Sequence, residues 1–471
     1  MVGLSSQPPC YWNVSTLAGS GSAAYADGTG AGASFQGPEG VAFRSSSGNG
    51  ASLVVADSGG SRLRLLNTYT GVTTTLAGNG IAAVSAGTPA TAHSIDWPQD
   101  AVELGGVVYA PAGHATHIMA IVPGGAMSIL YSTLPNAATG VTTNGVALFL
   151  AECGSNKVSS LTTGGVYSAL AGSGAAGFLD ATGAAALFSC PTGIRFFSGL
   201  LYVTDKNNNR IRRVSTTAVV TTLAGSGAAG TTDGPGLAAL LNGPWALHVD
   251  AQGAVLFTEQ GGSSSAVRVL RSGYVSTLAG SGAAQAYADG FGTSARFNSP
   301  IGLAVRAADD AIFVGDYVNL RIRQLTCVPC PASYHCFSGS PVLCPAGSFC
   351  PLGSQNASLC PPGTFSSAGA ASCTPCPAGT LAPAPGTRQC QKCPGGHFCP
   401  AGTSSWASLS CGRGQYCPDG SGAPTPCPLQ VPLGGWGDLQ VQGPAFVMDT
   451  AQCLNHCYWN FTSGSGALSK C

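Results

Sequence analysis

The sequence is poor in charge. Asp, Glu, Lys and Arg together make up 8% of its 471 residues, about a third of the share in an ordinary soluble domain. The 19 basic and 19 acidic side chains balance and no Lys/Arg cluster occurs, which excludes a nucleic-acid partner because affinity for phosphate backbones needs a basic face. Long apolar runs are missing too. None approaches the roughly 18 residues that span a bilayer, so direct membrane insertion of this chain is not expected. Helical periodicity is absent throughout. Met1 to Pro9 lacks the apolar core of a signal peptide, and the sequence reads as a fragment, a mature form or a chain with a displaced start.

Glycine, proline and cysteine are abundant, at 68, 31 and 20 residues. Cys10, Cys153 and Cys190 are the only cysteines before Cys327; all others crowd into the last part of the chain. Two regions with different physics therefore meet near Cys327. The first is long enough to bury a large core, while the second has few large aliphatic residues and must be held by covalent staples. The cysteines, with Asn-x-Ser/Thr acceptors at Asn13, Asn356 and Asn460, point to glycosylation, an oxidising compartment and an extracellular or cell-surface location.

A repeat of roughly fifty residues runs through the first region. Its marker is Ser15-Thr16-Leu17-Ala18-Gly19, which recurs at Thr74 to Gly78, Ser168 to Gly172, Thr221 to Gly225 and Ser276 to Gly280, with a degenerate copy at Ser128 to Ser132. Each copy leads through a Gly-rich loop, often with Asp-Gly as at Asp27-Gly28, into a segment opened by Pro38, Pro98, Pro191, Pro244 or Pro300; Ala138 takes that place in the third unit. Then come an apolar run ending in an acid, such as Leu53 to Asp57 or Leu201 to Asp205, and a basic run such as Arg62-Leu63-Arg64. Four short strands per unit and six units from Asn13 to Thr326 predict an all-β, six-bladed propeller. The phase predicts closure, because the chain opens on an outermost strand from Val14 and stops after a third strand at Leu320 to Leu325. The expected divisions are a lead-in at 1–13, the propeller at 14–326, a disulfide-rich, loop-dominated region at 327–430, and a segment at 431–471 that reads as the start of a further module, since Cys457-Tyr458-Trp459-Asn460 echoes Cys10-Tyr11-Trp12-Asn13.

The Thr-Leu-Ala-Gly, Asp-Gly, Pro-x-Gly, Val-x-Asp and Asn-x-Arg-Ile-Arg elements resemble the NHL repeat. The resemblance implies a six-bladed propeller of a family used mostly as binding platforms, with a few enzymes among its members. One enzymatic relative, the peptidylglycine amidating lyase, uses histidines and a metal in its central cavity. Here His93, His114, His117 and His248 do not recur at equivalent places in different blades, and His114 with His117 would need further ligands to hold zinc. No cofactor, metal or catalytic residue is expected, and the chain is read as not an enzyme.

The acid and the base stand five residues apart in four units: Asp57 with Arg62, Glu152 with Lys157, Asp205 with Arg210 and Asp316 with Arg321. These are expected to be cross-strand ion pairs that fix a turn, partly exposed and worth about 0–1 kcal/mol each. Unit two has Pro111 and Thr116 in their place, and unit five keeps Glu259 with Arg268 further on. Asp27, Asp180, Asp233 and Asp289 each offer one carboxylate per loop, so turn chemistry explains them more simply than calcium does.

In the second region Cys330 with Cys336, Cys344 with Cys350, Cys393 with Cys399 and Cys411 with Cys417 share one spacing, and longer units run from Cys360 to Cys373 and from Cys376 to Cys390, with Cys427 beyond. The pattern resembles ephrin-receptor-like repeats, themselves similar to tumour-necrosis-factor-receptor modules. Cys373, Cys376, Cys390 and Cys393 come near zinc-ribbon spacing, but in an oxidising compartment disulfides are favoured. The tail connectivity does not follow from spacing. The propeller phase, however, predicts Cys10 joined to Cys327 and Cys153 joined to Cys190.

The expected function is that of a non-enzymatic extracellular or cell-surface protein. Its propeller would bind a protein or glycan partner, or assemble with neighbours, and its cysteine-rich region would act as a rigid spacer. The alternatives are a metal-dependent lyase or hydrolase at the channel and a ligand-binding receptor ectodomain.

Overall fold

A computed structural model of the chain describes residues 10–44, 51–112, 116–135, 138–262, 265–281, 285–336, 341–412 and 415–426. It divides into two compact units that meet between Val328 and Pro329. The described residues contain no α-helix, only strands and single 3-10 turns.

Six antiparallel sheets follow one another along the first unit. Their innermost strands are Pro38–Phe43, Val102–Leu104, Ala138–Thr143, Pro191–Phe197, Pro244–Val249 and Pro300–Val305. The outermost regular strands of blades one to five are Val72–Ala77, Met127–Tyr131, Tyr167–Ala171, Val220–Ala224 and Tyr274–Ser281. In blade six the N-terminal Cys10–Ala18 fills that place beside Arg321–Pro329. The first strand of the chain thus closes the ring, which removes the free seam that an open propeller would expose.

The core lies between blades. Six apolar clusters fill six interfaces, and the last joins Val41, Leu53, Val55 and Leu66 of blade one to Ala304, Phe313 and Ile322 of blade six. Alternating apolar residues on each strand serve both neighbours, because a blade is buried on two faces. The Pro-x-Gly that opens the inner strands of blades one, four and six has a packing cause. A Cβ at Gly40 would run into the backbone of Gln99 and Asp100, and one at Gly302 into that of Glu39. Adjacent inner strands therefore meet backbone to backbone around a narrow channel.

In the second unit five two-stranded hairpins follow in series, from Tyr334–His335 with Val342–Leu343 to Gln415–Tyr416 with Thr425–Pro426. Disulfides join Cys330 to Cys336, Cys344 to Cys350, Cys360 to Cys373, Cys376 to Cys390, Cys393 to Cys399 and Cys411 to Cys417. Successive units are tied by backbone hydrogen bonds: Gly353, Gly369, Gly386, Gly402 and Gly420 donate to the carbonyls of Cys330, Cys344, Cys360, Cys376 and Cys393 in turn.

Candidate functional site

The expected ion pairs are corrected by the side chains. Asp57 faces Arg62 across its hairpin, Asp205 faces Arg210 and Asp316 faces Arg321, yet in each case the guanidinium that reaches the acid sits two residues further on. Arg64 lies 3.4 Å from Asp57, Arg212 lies 2.6 Å from Asp205 and Arg323 lies 2.7 Å from Asp316. Blade five does the same, with Arg268 at 2.8 Å from Glu259, although Ala266 occupies the position opposite the acid. The reason is the strand period of two. Arg62 and Arg64 stand on one face of the strand; the guanidinium of Arg62 is taken up by the carbonyls of Gly60 and Asn79, and the buried acid is met by Arg64.

Each buried arginine holds a second carboxylate from the Asp-Gly loop: Asp27 at 2.8 Å, Asp180 at 2.7 Å, Asp233 at 2.8 Å and Asp289 at 2.7 Å. Those loop aspartates also accept hydrogen bonds from the hydroxyls of Thr75, Thr222, Thr277 and Thr16, the residue before each Leu-Ala-Gly. The loop acids are therefore fasteners between loop, outer strand and arginine. All four arginines are buried, with Asp57, Glu259, Asp205 and Asp316 beside them, so the pairs are internal and the estimate for exposed pairs does not apply to them.

Arg62, Arg210 and Arg321 have other work. Each donates to two backbone carbonyls and lies over an aromatic ring of the loop, with its central carbon 3.8 Å from Tyr25, 3.7 Å from Phe178 and 3.9 Å from Tyr287. The second glycine of Leu-Ala-Gly-x-Gly makes room for them, because a Cβ at Gly21, Gly80 or Gly227 would overlap the guanidinium. Blade three departs from the scheme. Ser159 stands where the buried arginine would be, and Glu152 accepts hydrogen bonds from Ser155, Ser159 and Tyr167. Lys157 faces Glu152 only along the backbone. In blade two the positions opposite each other are Ala112 and His117, one residue on from Pro111 and Thr116.

Residues at the inner edge of all six blades, among them Gly40, Asp100, Gly140, Arg195, Trp245 and Gly302, line a common channel cavity of about 20 Å³. Three charged or titratable groups are distinctive. Asp100 occupies the glycine position of blade two; its carboxylate accepts from the N–H groups of Ala101 at 2.8 Å and Val141 at 3.0 Å. Burial pushes it up to about 6 against the pull of Arg195. Arg195 lines the same cavity. His248 is driven down to about 3 by burial and by the charge of Arg195, so its imidazole is neutral at physiological pH. Nearby, Glu39 is pushed up to about 7 by burial, which outweighs its hydrogen bonds to Ser58 and Trp97. Towards one mouth Lys206 lies 4.2 Å from the ring centre of Trp245.

Of the histidines, His117 bonds Thr116, His248 lies on the inner strand of blade five, and His114 lies outside the described residues. Among the described residues no set of three His, Cys, Asp or Glu side chains is placed to hold a metal ion. Cys153 and Cys190 are joined. Cys327 is disulfide-bonded, but the side chain of Cys10 lies outside the described residues, as do Cys427 and Asn460. Asn356 is exposed and Asn13 is half-buried.

A second surface feature escaped the sequence reading. The hairpin between the third and fourth strands of blades one to five carries an exposed apolar residue each time: Tyr69, Val122, Val166, Val219 and Tyr274. Their recurrence makes an apolar rim on one face, with Val146 on the same side.

Residues 188–214 match the NHL repeat, and residues 363–408 match the tyrosine-protein kinase ephrin type A/B receptor-like family. The six-bladed propeller thus contains a match to the NHL repeat, and the disulfide-rich region a match to the ephrin-receptor-like family. No curated protein matches the chain. Solved structures similar to the propeller include a structural genomics protein of unknown function from Bacteroides thetaiotaomicron, 19% identical with a TM-score of 0.54 over 67% of this chain and 76% of that one. An auxiliary nutrient binding protein from the same organism is 17% identical, with a TM-score of 0.52 over 68% and 77%. Its counterpart from Bacteroides ovatus gives the same values. At these identities the likeness concerns the fold of the propeller alone.

Proposed function

We propose that the chain is a non-enzymatic extracellular protein whose propeller docks on a protein or glycan partner, or on neighbours in an assembly, while the disulfide-linked region spaces it from what it is attached to. The observation that carries this reading is the distribution of charge against apolar surface. Fourteen acidic and basic side chains are buried, which leaves a weakly charged exterior, and five hairpins raise apolar tips on one rim. Interface cores are depleted of charge and enriched in aromatic and aliphatic groups, and apolar surface gathered on one side of a soluble domain marks a docking region. The disulfide series supports an oxidising location, and proteins described as nutrient-binding share the scaffold.

The test uses the tagged full chain in its native cells. Val166→Lys and Tyr274→Lys change exposed positions and are expected to leave the melting temperature unchanged while releasing the protein from its extracellular assembly. Retention of both variants in that assembly, or recovery of the chain from the reducing cytosol, overturns the proposal.

A further inference from the structure

We infer that a cavity in blade five, at the end of the outer strand opposite Tyr274, takes up an arginine side chain presented by a partner protein. The inference concerns a different place from the apolar rim and does not rest on the docking role proposed above.

Blades one, four and six are built alike around the buried arginine. A second arginine stands opposite the strand acid, Arg62, Arg210 or Arg321, and lies over an aromatic ring two residues before the loop aspartate, Tyr25, Phe178 or Tyr287. Its guanidinium donates to the carbonyl of the residue after Leu-Ala-Gly, which is Asn79, Ser226 or Ser20. Blade five keeps the buried set, with Arg268 on Glu259 and Asp233, and has lost both covering groups. Ala266 stands opposite the acid, and Thr231 stands two residues before Asp233. A cavity of about 220 Å³ lies there, lined by Thr231 and Ala266 together with Asp233, Glu259, Arg268 and Ser281. Ser281 is the residue after Leu278-Ala279-Gly280, so the strand that offers a carbonyl to the arginine in the other blades borders the cavity here. Thr231 is exposed and the side chain of Asp233 is 38% exposed, which opens the cavity to solvent.

Charge identifies the occupant. In blades one, four and six two carboxylates face two guanidinium groups, whereas the residues lining the blade-five cavity set two carboxylates against one. Burial and the charge of Arg212 oppose the charge of Arg210, while Asp205 and Asp180 favour it, so the two acids act on the outer guanidinium as well as on the inner one. Arg296, on the neighbouring loop, is held by the carbonyls of Thr293 and Ala295. An enclosed pair of carboxylates with a single counter-group favours a further cation. A planar guanidinium suits the place better than an ammonium, since equivalent walls hold one in three other blades and it lies flat against neighbouring groups. An arginine within a protein chain also brings no carboxylate of its own, whereas free arginine would carry one towards two acids.

The probe is N-acetyl-arginine methylamide, titrated calorimetrically at fixed ionic strength into the full chain with its disulfides intact. It is expected to bind saturably, at least about fivefold more tightly than the matching lysine derivative and more tightly than free arginine. Asp233→Asn, which leaves one carboxylate for Arg268, is expected to weaken binding roughly tenfold. The double variant Thr231→Tyr with Ala266→Arg rebuilds the pattern of the other blades and is expected to abolish binding. Binding that persists in the double variant, an affinity indifferent to Asp233→Asn, a lysine derivative or free arginine that binds as tightly, or no saturable binding below about 10 mM each overturns the inference. Should the double variant fail to fold, the discrimination of the parent chain among the three ligands decides alone.

Discussion

Arg212→Met tests the corrected pairing at its best-formed instance. The guanidinium reaches Asp205 at 2.6 Å and Asp180 at 2.7 Å, and donates to the carbonyls of Leu179 and Leu187. Burial already pushes the Asp205 carboxyl up, and Arg212 is among the groups holding it down. Without the arginine, Asp205 keeps only the N–H of Ser189 and the amide of Asn208. Breaking a buried pair from one side costs about 3–5 kcal/mol. Arg210→Met, two residues away, loses two carbonyl bonds and one ring contact at the surface, worth about 1–2 kcal/mol. Urea unfolding followed by tryptophan fluorescence, with disulfides intact, should therefore show a much larger fall in midpoint for Arg212→Met. Adding Asp205→Asn should recover at least half of that loss, because the stranded charge goes with it. Equal losses for the two arginine variants would refute the claim that the buried pair with Asp205 is the stronger of the two contacts.

Other consequences are open to measurement. Glu39, raised to about 7 in the folded chain from 4.5, binds more protons folded than unfolded between those values, so its contribution is full at low pH and is lost as pH rises through 7. Relative to the parent, Glu39→Gln should gain on the order of 3 kcal/mol between pH 4.5 and 8, seen in paired urea titrations; a flat difference would place that carboxyl in water. Gly227→Ala puts a Cβ onto the guanidinium of Arg210 at a backbone φ of +98°, and should lower stability by about 1–3 kcal/mol. Replacing Cys153 and Cys190 by Ser together opens a closure of 37 residues and should destabilise by up to about 4 kcal/mol on the chain-entropy account, measured by thermal unfolding without reductant.

Much of the propeller was legible because its signals are local and repeated. Thr-Leu-Ala-Gly fixes the outer strand, Pro-x-Gly the inner one, and the phase of Val14 against Leu325 places the closing strand. The partner of each acid was legible too, in a form easily passed over: the loop acids Asp27, Asp180, Asp233 and Asp289 occur in the same units as Arg64, Arg212, Arg268 and Arg323, and blade five keeps its acid while Ala266 stands opposite. Spacing along the chain favoured Arg62 because it measures backbone adjacency, whereas the guanidinium of Arg62 is taken up by carbonyls and the buried acid is met by Arg64. The channel set was hidden for a different cause. Asp100 and Arg195 are departures from the repeat, in blades two and four, and ring closure brings them to one cavity. The apolar rim rests on turn tips of differing length, so no fixed offset announces it.

The rungs of hydrogen bonds between the cysteine-rich units bear on how such a chain evolves. Since each tier meets the next through the same glycine-to-cysteine contact, duplication or loss of one tier alters reach without redesigning its neighbours. Length in this half of the molecule is a dial that can be turned in steps, while the closed ring ahead of it admits no such adjustment.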